Sequence, residues 1–463
     1  MRQWKTALAQ SDTARYIALA DHIESAIQSG ELKPGDKLPT HRKLADQLEV
    51  TVGTVTRGYA EAQRRGLINA TVGSGTFVST GHQPDVHFAQ LDPTAMSGID
   101  LSLNLPIKNQ SAPGIAAIMQ QICEDQPCLN GLMQYQQERG SDQHRRTAAS
   151  WLSEQGVQCD ASQVAITCGG QHAITLALMA TTRRGDTIAA EGLAYPGLKA
   201  AASQLGVKVI GLPMDGQGVL PEAFSNQCKL NHLRAIYLCP SIQNPTNATM
   251  GLSRRKQIAE IAISQGLWVL EDEVAANYLP PNSNCFFNLA PDNTFYINSH
   301  SKTVAPGLRV GYLLSPPRLV DSVAASIRAQ CWFAPTLNVE IVQRWISSKA
   351  AKDWHNIQKM ELEKRQRLAA GLLSDYDIKL ATGSFHVWLL LPDSWRALEF
   401  QAVLEDRGVK VLAADVFAIG RFHAPQAIRI CLSSPPTLQV LETGLSIIKQ
   451  QLDDGYDSRL SVF

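Results

Sequence analysis

Charge of one sign is the first thing missing from this sequence: 42 lysines and arginines meet 42 aspartates and glutamates, for a formal net charge of +0 at pH 7. A whole-molecule field that gathers nucleic acid or an anionic membrane is thereby excluded. A small DNA-binding part would be diluted by a large neutral one, and residues 1–80 do carry ten basic against eight acidic side chains. The nine cysteines (Cys123, Cys128, Cys159, Cys168, Cys228, Cys239, Cys285, Cys331 and Cys431) contain no C-x-x-C pair, and their number is odd. That speaks against a zinc ribbon, a thioredoxin-type couple and a disulfide scaffold. Reduced, buried thiols of a cytoplasmic protein are expected, with no metal site. The opening stretch MRQWKTALAQSD has no apolar core, and no apolar run approaches about 18 residues, so neither secretion nor membrane spanning is expected. Repeats and low-complexity tracts are also lacking.

What is present is length and alternation. A chain of 463 residues exceeds what one core usually serves, so two or three domains are expected. From Thr13 to Gln28, Tyr16, Leu19, Ala20, Ile23, Ala26 and Ile27 recur at helical spacing, and Gly30 follows as a stop. Thr40 is placed to cap a second helix through Leu48, and Thr51 to cap a third that ends at Gly66. LINAT and GTFVS around VGSG read as a hairpin. Three helices and a hairpin in about 80 residues follow the winged helix-turn-helix plan. After a polar stretch, the runs 164–169, 187–192, 208–213, 234–240, 267–272, 295–301 and 310–315 alternate with helical segments, the signature of a mostly parallel sheet with covering helices. A long charged helix is expected over Asn356–Leu373, and runs 387–392, 409–414 and 427–433 suggest a smaller α/β domain. The expected organisation is therefore α/β: a winged helix-turn-helix at 1–80, a linker at 81–100, a large domain at 101–325 and a small one at 326–463.

Two constellations carry chemistry. In the first, the third helix presents Thr51, Gly53, Thr54 and Arg57 near its N-terminal turn, where hydroxyls reach base edges and the helix end favours a phosphate. Arg42 opens the preceding helix, and Gly73 in the wing tip lets backbone approach a minor groove. The same elements would also serve a winged helix used for protein contact.

In the second, Lys302 in SHSKTVAPGLRVGY follows a strand, where a lysine can form an imine with an aldehyde cofactor. Pyridoxal 5'-phosphate (PLP) further needs an anion site, a carboxylate at its pyridine nitrogen, a donor at its 3'-oxygen and a stacking ring. Gly169, Gly170 and Gln171 close a strand and open a helix, a phosphate-binding arrangement that Ser299, Ser301 and Arg309 would complete. Tyr195 is the candidate stacking ring, Asn244 the 3'-oxygen donor and Asp272 the carboxylate. Arg429 is suited to grip a substrate carboxylate bidentately. Each residue alone has an ordinary structural explanation; their joint order does not.

The stretch SGELKPGDKLPTHRKLADQLEVTVGTVTRGYAEAQRRGLINATVGSGTFV resembles the N-terminal domain of GntR-type regulators over residues 13–79, in its PGxxLPxxRxLA run, its V-T-x-x-T-V core and its G-S-G-T-F-V wing. The resemblance implies DNA binding, with Arg42, Thr51, Thr54 and Thr56 at contact positions; Val52 and Gly53 depart from the usual Arg or Thr, so no operator sequence carries over. Residues 100–455 resemble fold-type I aminotransferases, which implies PLP with Lys302 as its Schiff-base lysine and Asp272, Asn244, Tyr195, Ser299 and Arg309 in the roles above. Tyr135 and Arg145 fall in the Y-x-x-x-x-G-x-x-x-x-R segment, whose tyrosine reaches the neighbouring subunit's phosphate in that fold and so implies a homodimer. The fusion resembles MocR-type regulators. It implies a PLP-binding transcription regulator whose effector is PLP itself, or an amine or amino acid that forms an aldimine with it. An active aminotransferase with a DNA-binding appendage is the alternative, and a large domain that only dimerises is a third reading. Three departures point to weak catalysis: Val274 and Ala275 stand where a tyrosine is usual, with Tyr278 further along, Asn247 replaces a glycine, and Cys168 a serine.

Overall fold

The structure, a computed structural model, describes Trp4 and residues 13–33, 35–71, 75–79, 98–107 and 111–455. The chain divides into two compact units, Met1–Gln90 and Leu91–Phe463. Most of the expected linker, and wing residue Gly73, lie outside the described residues. Among the described residues no helix is long and apolar enough to cross a membrane.

The first unit packs α1 (Arg15–Gln28), α2 (His41–Leu48) and α3 (Val52–Arg64) against the antiparallel hairpin of β1 (Ile68–Thr71) and β2 (Gly75–Val78). Leu19, Ile23, Leu44, Leu48, Val55, Tyr59, Ile68 and Val78 make its core. Capping sets the helix starts. Thr40 Oγ1 accepts the Lys43 N–H at 3.4 Å, and Thr51 Oγ1 accepts that of Thr54 at 3.2 Å. Glu49, at φ 54, ends α2 in the left-handed region. Gly58 lets α3 close on α1, since a Cβ there would lie 2.6 Å from the Leu19 side chain. Arg65 ties the helices together through Asp21 at 2.6 Å and Glu61 at 2.7 Å.

The second unit is built on β3 (Ile99–Asp100), β4 (Val164–Thr167), β5 (Thr187–Glu191), β6 (Lys208–Leu212), β7 (Leu233–Leu238), β8 (Trp268–Asp272), β9 (Thr294–Ser299) and β10 (Gly311–Leu314). Seven of these form one sheet in the order β4-β10-β9-β8-β7-β5-β6, parallel except for β10, which runs antiparallel to both neighbours. A short return loop produces that reversal, and Lys302 sits in it just after β9. The carboxyl ends of β4, β8 and β9 thus bring the 168–171 turn, Asp272 and Lys302 to one edge, where open α/β sheets bind ligands.

A second sheet orders β11 (Ile378–Lys379), β12 (His386–Leu390), β15 (Ala427–Cys431) and β14 (Leu412–Ala413). The run 409–414, expected as one strand, splits. Val409–Lys410 (β13) pairs with β3, whereas Leu412–Ala413 pairs with β15. Ile99–Asp100, expected at the end of the linker, is therefore strand, and Leu101 is buried in the small sheet's core. The long charged helix spans Lys349–Leu372; it begins earlier than expected because Ser348 Oγ caps it at Ala351 N, 3.1 Å.

All nine cysteines are free. The expectation that they are buried holds for Cys239, Cys285 and Cys431; Cys128, Cys159, Cys168 and Cys228 are half-buried, and Cys123 and Cys331, each on a helix that faces solvent there, are exposed.

Candidate functional site

In the first unit the candidate DNA-contacting residues divide by exposure. Arg42, Thr51, Thr56 and Arg57 are exposed, whereas Thr54 is buried with its hydroxyl 2.9 Å from that of Thr51. Thr54 thus supports the start of α3. Arg57 lies over the Tyr16 ring and donates to Gly53 O at 3.2 Å, and Thr56 donates to Val52 O at 3.0 Å. Arg42 projects from the first turn of α2 with its guanidinium exposed.

In the second unit the turn after β4 meets the loop before β10. Gly169 has φ 84, and a Cβ there would lie 2.5 Å from Arg309 Nη2. A Cβ at Gly170 would meet Val274 at 3.0 Å, and one at Gly311 would meet the Gly169 backbone at 2.8 Å. These glycines form a cradle that only a bare backbone permits. α4 (Gly170–Thr181) begins there, so its first N–H groups face the cradle. Arg309 Nη2 donates to Cys168 O at 3.0 Å, and Ser299 Oγ and Ser301 Oγ are 2.8 Å apart, with Ser299 Oγ donating to Val310 O at 3.2 Å. Gln171 Nε2 donates to Gly197 O at 2.8 Å, and its buried Oε1 has no partner among the described residues.

Asp272 is buried at the end of β8; the Tyr237 hydroxyl donates to its Oδ2 at 2.5 Å and the Val274 N–H to its Oδ1 at 3.0 Å. Burial raises its carboxyl above the ordinary range, against those bonds and the charge of Lys302. Lys302 is half-buried and donates to Asn104 O. Desolvation, then the guanidinium of Arg429, brings its ammonium down to about 8. Tyr195, pushed up to about 12 by burial and then by Asp272, stands at the start of a helix over Pro196–Leu205. Arg429 on β15 donates to Asn244 Oδ1 and to Ser102 O, each at 2.7 Å, and lies over the Phe417 ring. Its buried Nε has no partner among the described residues. The bond to Oδ1 orients the Asn244 amide so that its NH₂ faces the opposite way.

Tyr135 is 82% exposed, with its ring 5.6 Å from that of Trp332. Arg145 instead binds carbonyls of its own fold, at Gly140 and Ala161. Tyr278 does not join the site. It is buried with Ile107, Leu362 and Phe385, and its hydroxyl has no partner among the described residues. Asn247 fits its position because φ is 62, a conformation asparagine tolerates, and its amide donates to Lys379 O and His386 O.

Sequence reasoning missed Tyr237, the carbonyls of Ser102 and Asn104, and His172, whose Nδ1 accepts the Cys168 N–H at 3.0 Å. No motif marks them. Only Tyr237, two residues before Cys239 on a strand beside β8, had a signal, since alternate residues of adjacent strands share a face.

Fold and site define a class: a winged helix-turn-helix reader joined to a fold-type I aminotransferase-like unit. The comparisons agree. Residues 98–447 match the aminotransferase class I and II family, and residues 15–78 match the bacterial regulatory proteins of the gntR family. The chain is 30% identical over 456 residues to the uncharacterized HTH-type transcriptional regulator YdeF of Bacillus subtilis, covering 97% of each protein. It is 27% identical over 316 residues to the HTH-type pyridoxine biosynthesis transcriptional regulator PdxR of Corynebacterium glutamicum, covering 64% of this chain and 65% of that protein. Among solved structures, an archaeal alanine:glyoxylate aminotransferase superposes with TM-score 0.71 at 20% identity, over 79% of this chain and 93% of that one. LysN, an α-aminoadipate aminotransferase of Thermus thermophilus complexed with N-(5'-phosphopyridoxyl)-L-leucine, does so with the same TM-score and identity, over 77% and 92%. The chain belongs to the MocR-type family, GntR-headed transcription regulators with an aminotransferase class I/II domain.

Proposed function

We propose that this regulator binds PLP covalently at Lys302 and operator DNA through residues 1–80, acting as a cytoplasmic homodimer. The observation that carries the cofactor reading is the cradle of Gly169, Gly170 and Gly311 closed by Arg309, with Lys302 and Asp272 on the same sheet edge. Gln171 Oε1, beside the cradle, and Arg429 Nε, on β15, are buried polar atoms without a partner among the described residues, which suits a ligand with donor and acceptor groups.

When bound, PLP supplies an aldehyde that captures primary amines and a ring that withdraws electrons. The chain's residues do the rest. The cradle N–H groups, Ser299, Ser301 and Arg309 hold the phosphate; Asp272, itself held by Tyr237, keeps a proton on the pyridine nitrogen. Tyr195 covers the ring face, the Asn244 amide NH₂ donates to the 3'-oxygen, and Arg429 takes a carboxylate. Tyr135, 82% exposed, serves the phosphate of a second subunit in this reading. LysN is complexed with a phosphopyridoxyl amino acid, and the name of PdxR links that protein to pyridoxine biosynthesis, which supports this choice. The effector is PLP or an amine or amino acid joined to it. A ligand that prefers one of two dimer arrangements shifts operator affinity by that preference. An active aminotransferase is the second reading, favoured by the intact set of Lys302, Asp272 and Arg429.

Purified protein should be yellow, and borohydride should fix a pyridoxyl group to the peptide containing Lys302. A colourless protein that takes up no added PLP, or label elsewhere with Lys302→Ala unaffected, refutes the assignment.

A further inference from the structure

One reactive cluster has no part in the roles above. Cys168 Sγ and Cys331 Sγ lie 3.9 Å apart, and a ring nitrogen of His172 lies within 4.8 Å of both. Cys168 is half-buried at the end of β4, and Cys331 is the exposed last residue of a helix over Val320–Cys331. Two thiols and an imidazole suit a soft metal ion or a disulfide. The hydrogen bonding decides between them. His172 Nδ1 accepts the Cys168 backbone N–H at 3.0 Å. Burial keeps the ring neutral, lowering it to about 4, so its proton resides on Nε2. No imidazole lone pair remains for an ion unless the backbone bond breaks. A disulfide needs no such break. The sulfurs must close by roughly 2 Å to reach bonding distance, and the final turn of a helix is where such movement is cheapest.

We propose that Cys168 and Cys331 form a reversible disulfide beside the anion cradle. A small disulfide oxidant such as oxidised glutathione meets exposed Cys331 first. The Cys331 thiolate bonds to one glutathione sulfur, and the other leaves as a thiolate that takes up a proton. Cys168 then loses its proton, its sulfur attacks Cys331 Sγ, and the second glutathione departs. Two protein thiols are oxidised while one small disulfide is reduced to two thiols. The bond pulls on Cys168, whose carbonyl accepts from Arg309 and which leads directly into Gly169, so oxidation loosens the hold on phosphate. That last consequence rests on the PLP reading; the disulfide does not.

The full-length protein is incubated with oxidised glutathione, its thiols are titrated and its peptides mapped without reduction. The expected result is a Cys168–Cys331 crosslinked peptide, loss of those two thiols beyond any glutathione carried by exposed Cys123, and recovery with a dithiol reductant. Cys168→Ser should instead stop at glutathione attached to Cys331, and Cys331→Ser should leave Cys168 unmodified. A mixed disulfide on Cys331 that never resolves in the unsubstituted protein overturns the proposal. So does stoichiometric retention of Zn²⁺ with both thiols protected. Oxidised protein should also retain less PLP than reduced protein. Failure of the reduced protein to bind PLP overturns the cofactor reading alone, because the crosslink is scored independently.

Discussion

Lys302 meets its surroundings as a desolvated amine beside a guanidinium, and both effects favour its neutral form. Only the neutral amine attacks an aldehyde. The proton is lost as pH rises through about 8, so capture of PLP by cofactor-free protein should accelerate toward that pH and level off above it. Stopped-flow absorbance measures this, and a flat profile between about pH 6 and about 9 contradicts it. A second residue-scale expectation concerns turnover. Val274 lies beside Gly170 and the Tyr278 ring is tilted against those of His355 and Phe385, so under the proposed reading the Asn244 amide would be the one side-chain donor to the 3'-oxygen among the described candidates. One lost donor to a developing charge costs about 2.7–4 kcal/mol, or roughly 10²–10³ in rate. Transamination should be correspondingly slow in a single-turnover assay across common amino acids, and rapid multiple turnover would promote the aminotransferase reading.

Elements were legible where their signals are local. Thr40 and Thr51 cap the helices that their positions announce, and the apolar runs of the large sheet form strands within a residue or two of expectation. The split at Val411 was not legible, because each half answers to a different partner strand. Asn247 shows how one loop joins two elements: it donates to Lys379 O on β11 and His386 O on β12, and accepts from Ser384 at 2.6 Å. Asn247→Ala removes these bonds, of which Ser384 Oγ can still satisfy His386 O at 3.0 Å, so the loss should be about 1–3 kcal/mol in all, and it places a Cβ-bearing residue without a polar side chain at φ 62. The variant should unfold at lower denaturant concentration in the small sheet's transition, read by hydrogen exchange of β11 and β12. Equal protection in both proteins would show that the loop does not brace that sheet.

At the scale of the whole molecule, the proposed dimer brings two DNA-binding heads to one operator. Linking the second binding event to the first raises its effective concentration, so full-length protein should bind a two-half-site operator far more tightly than an isolated head. Arg42→Ala should weaken binding by about 1–3 kcal/mol if its guanidinium reads a base edge, or flatten the salt dependence if it meets a phosphate. Fluorescence anisotropy at several salt concentrations separates the two. No change in affinity or in salt slope would remove Arg42 from the interface.

Local pattern and motif order were enough to place the helix caps and the succession of strands along the chain, and to name Lys302, Asp272, Asn244, Arg309 and Arg429 as candidates. Which groups meet those residues was settled only when distant segments packed together. The carbonyls of Ser102 and Asn104 lie against Arg429 and Lys302 because β3 pairs with β13 and so ties the start of the second unit to the segment beside the small sheet. Tyr237 reaches Asp272 across a strand pair, and Cys168 meets Cys331 from the far end of another helix. Every residue carries a carbonyl, and most polar side chains are solvated, so nothing in their identity marks the ones that folding will bring together.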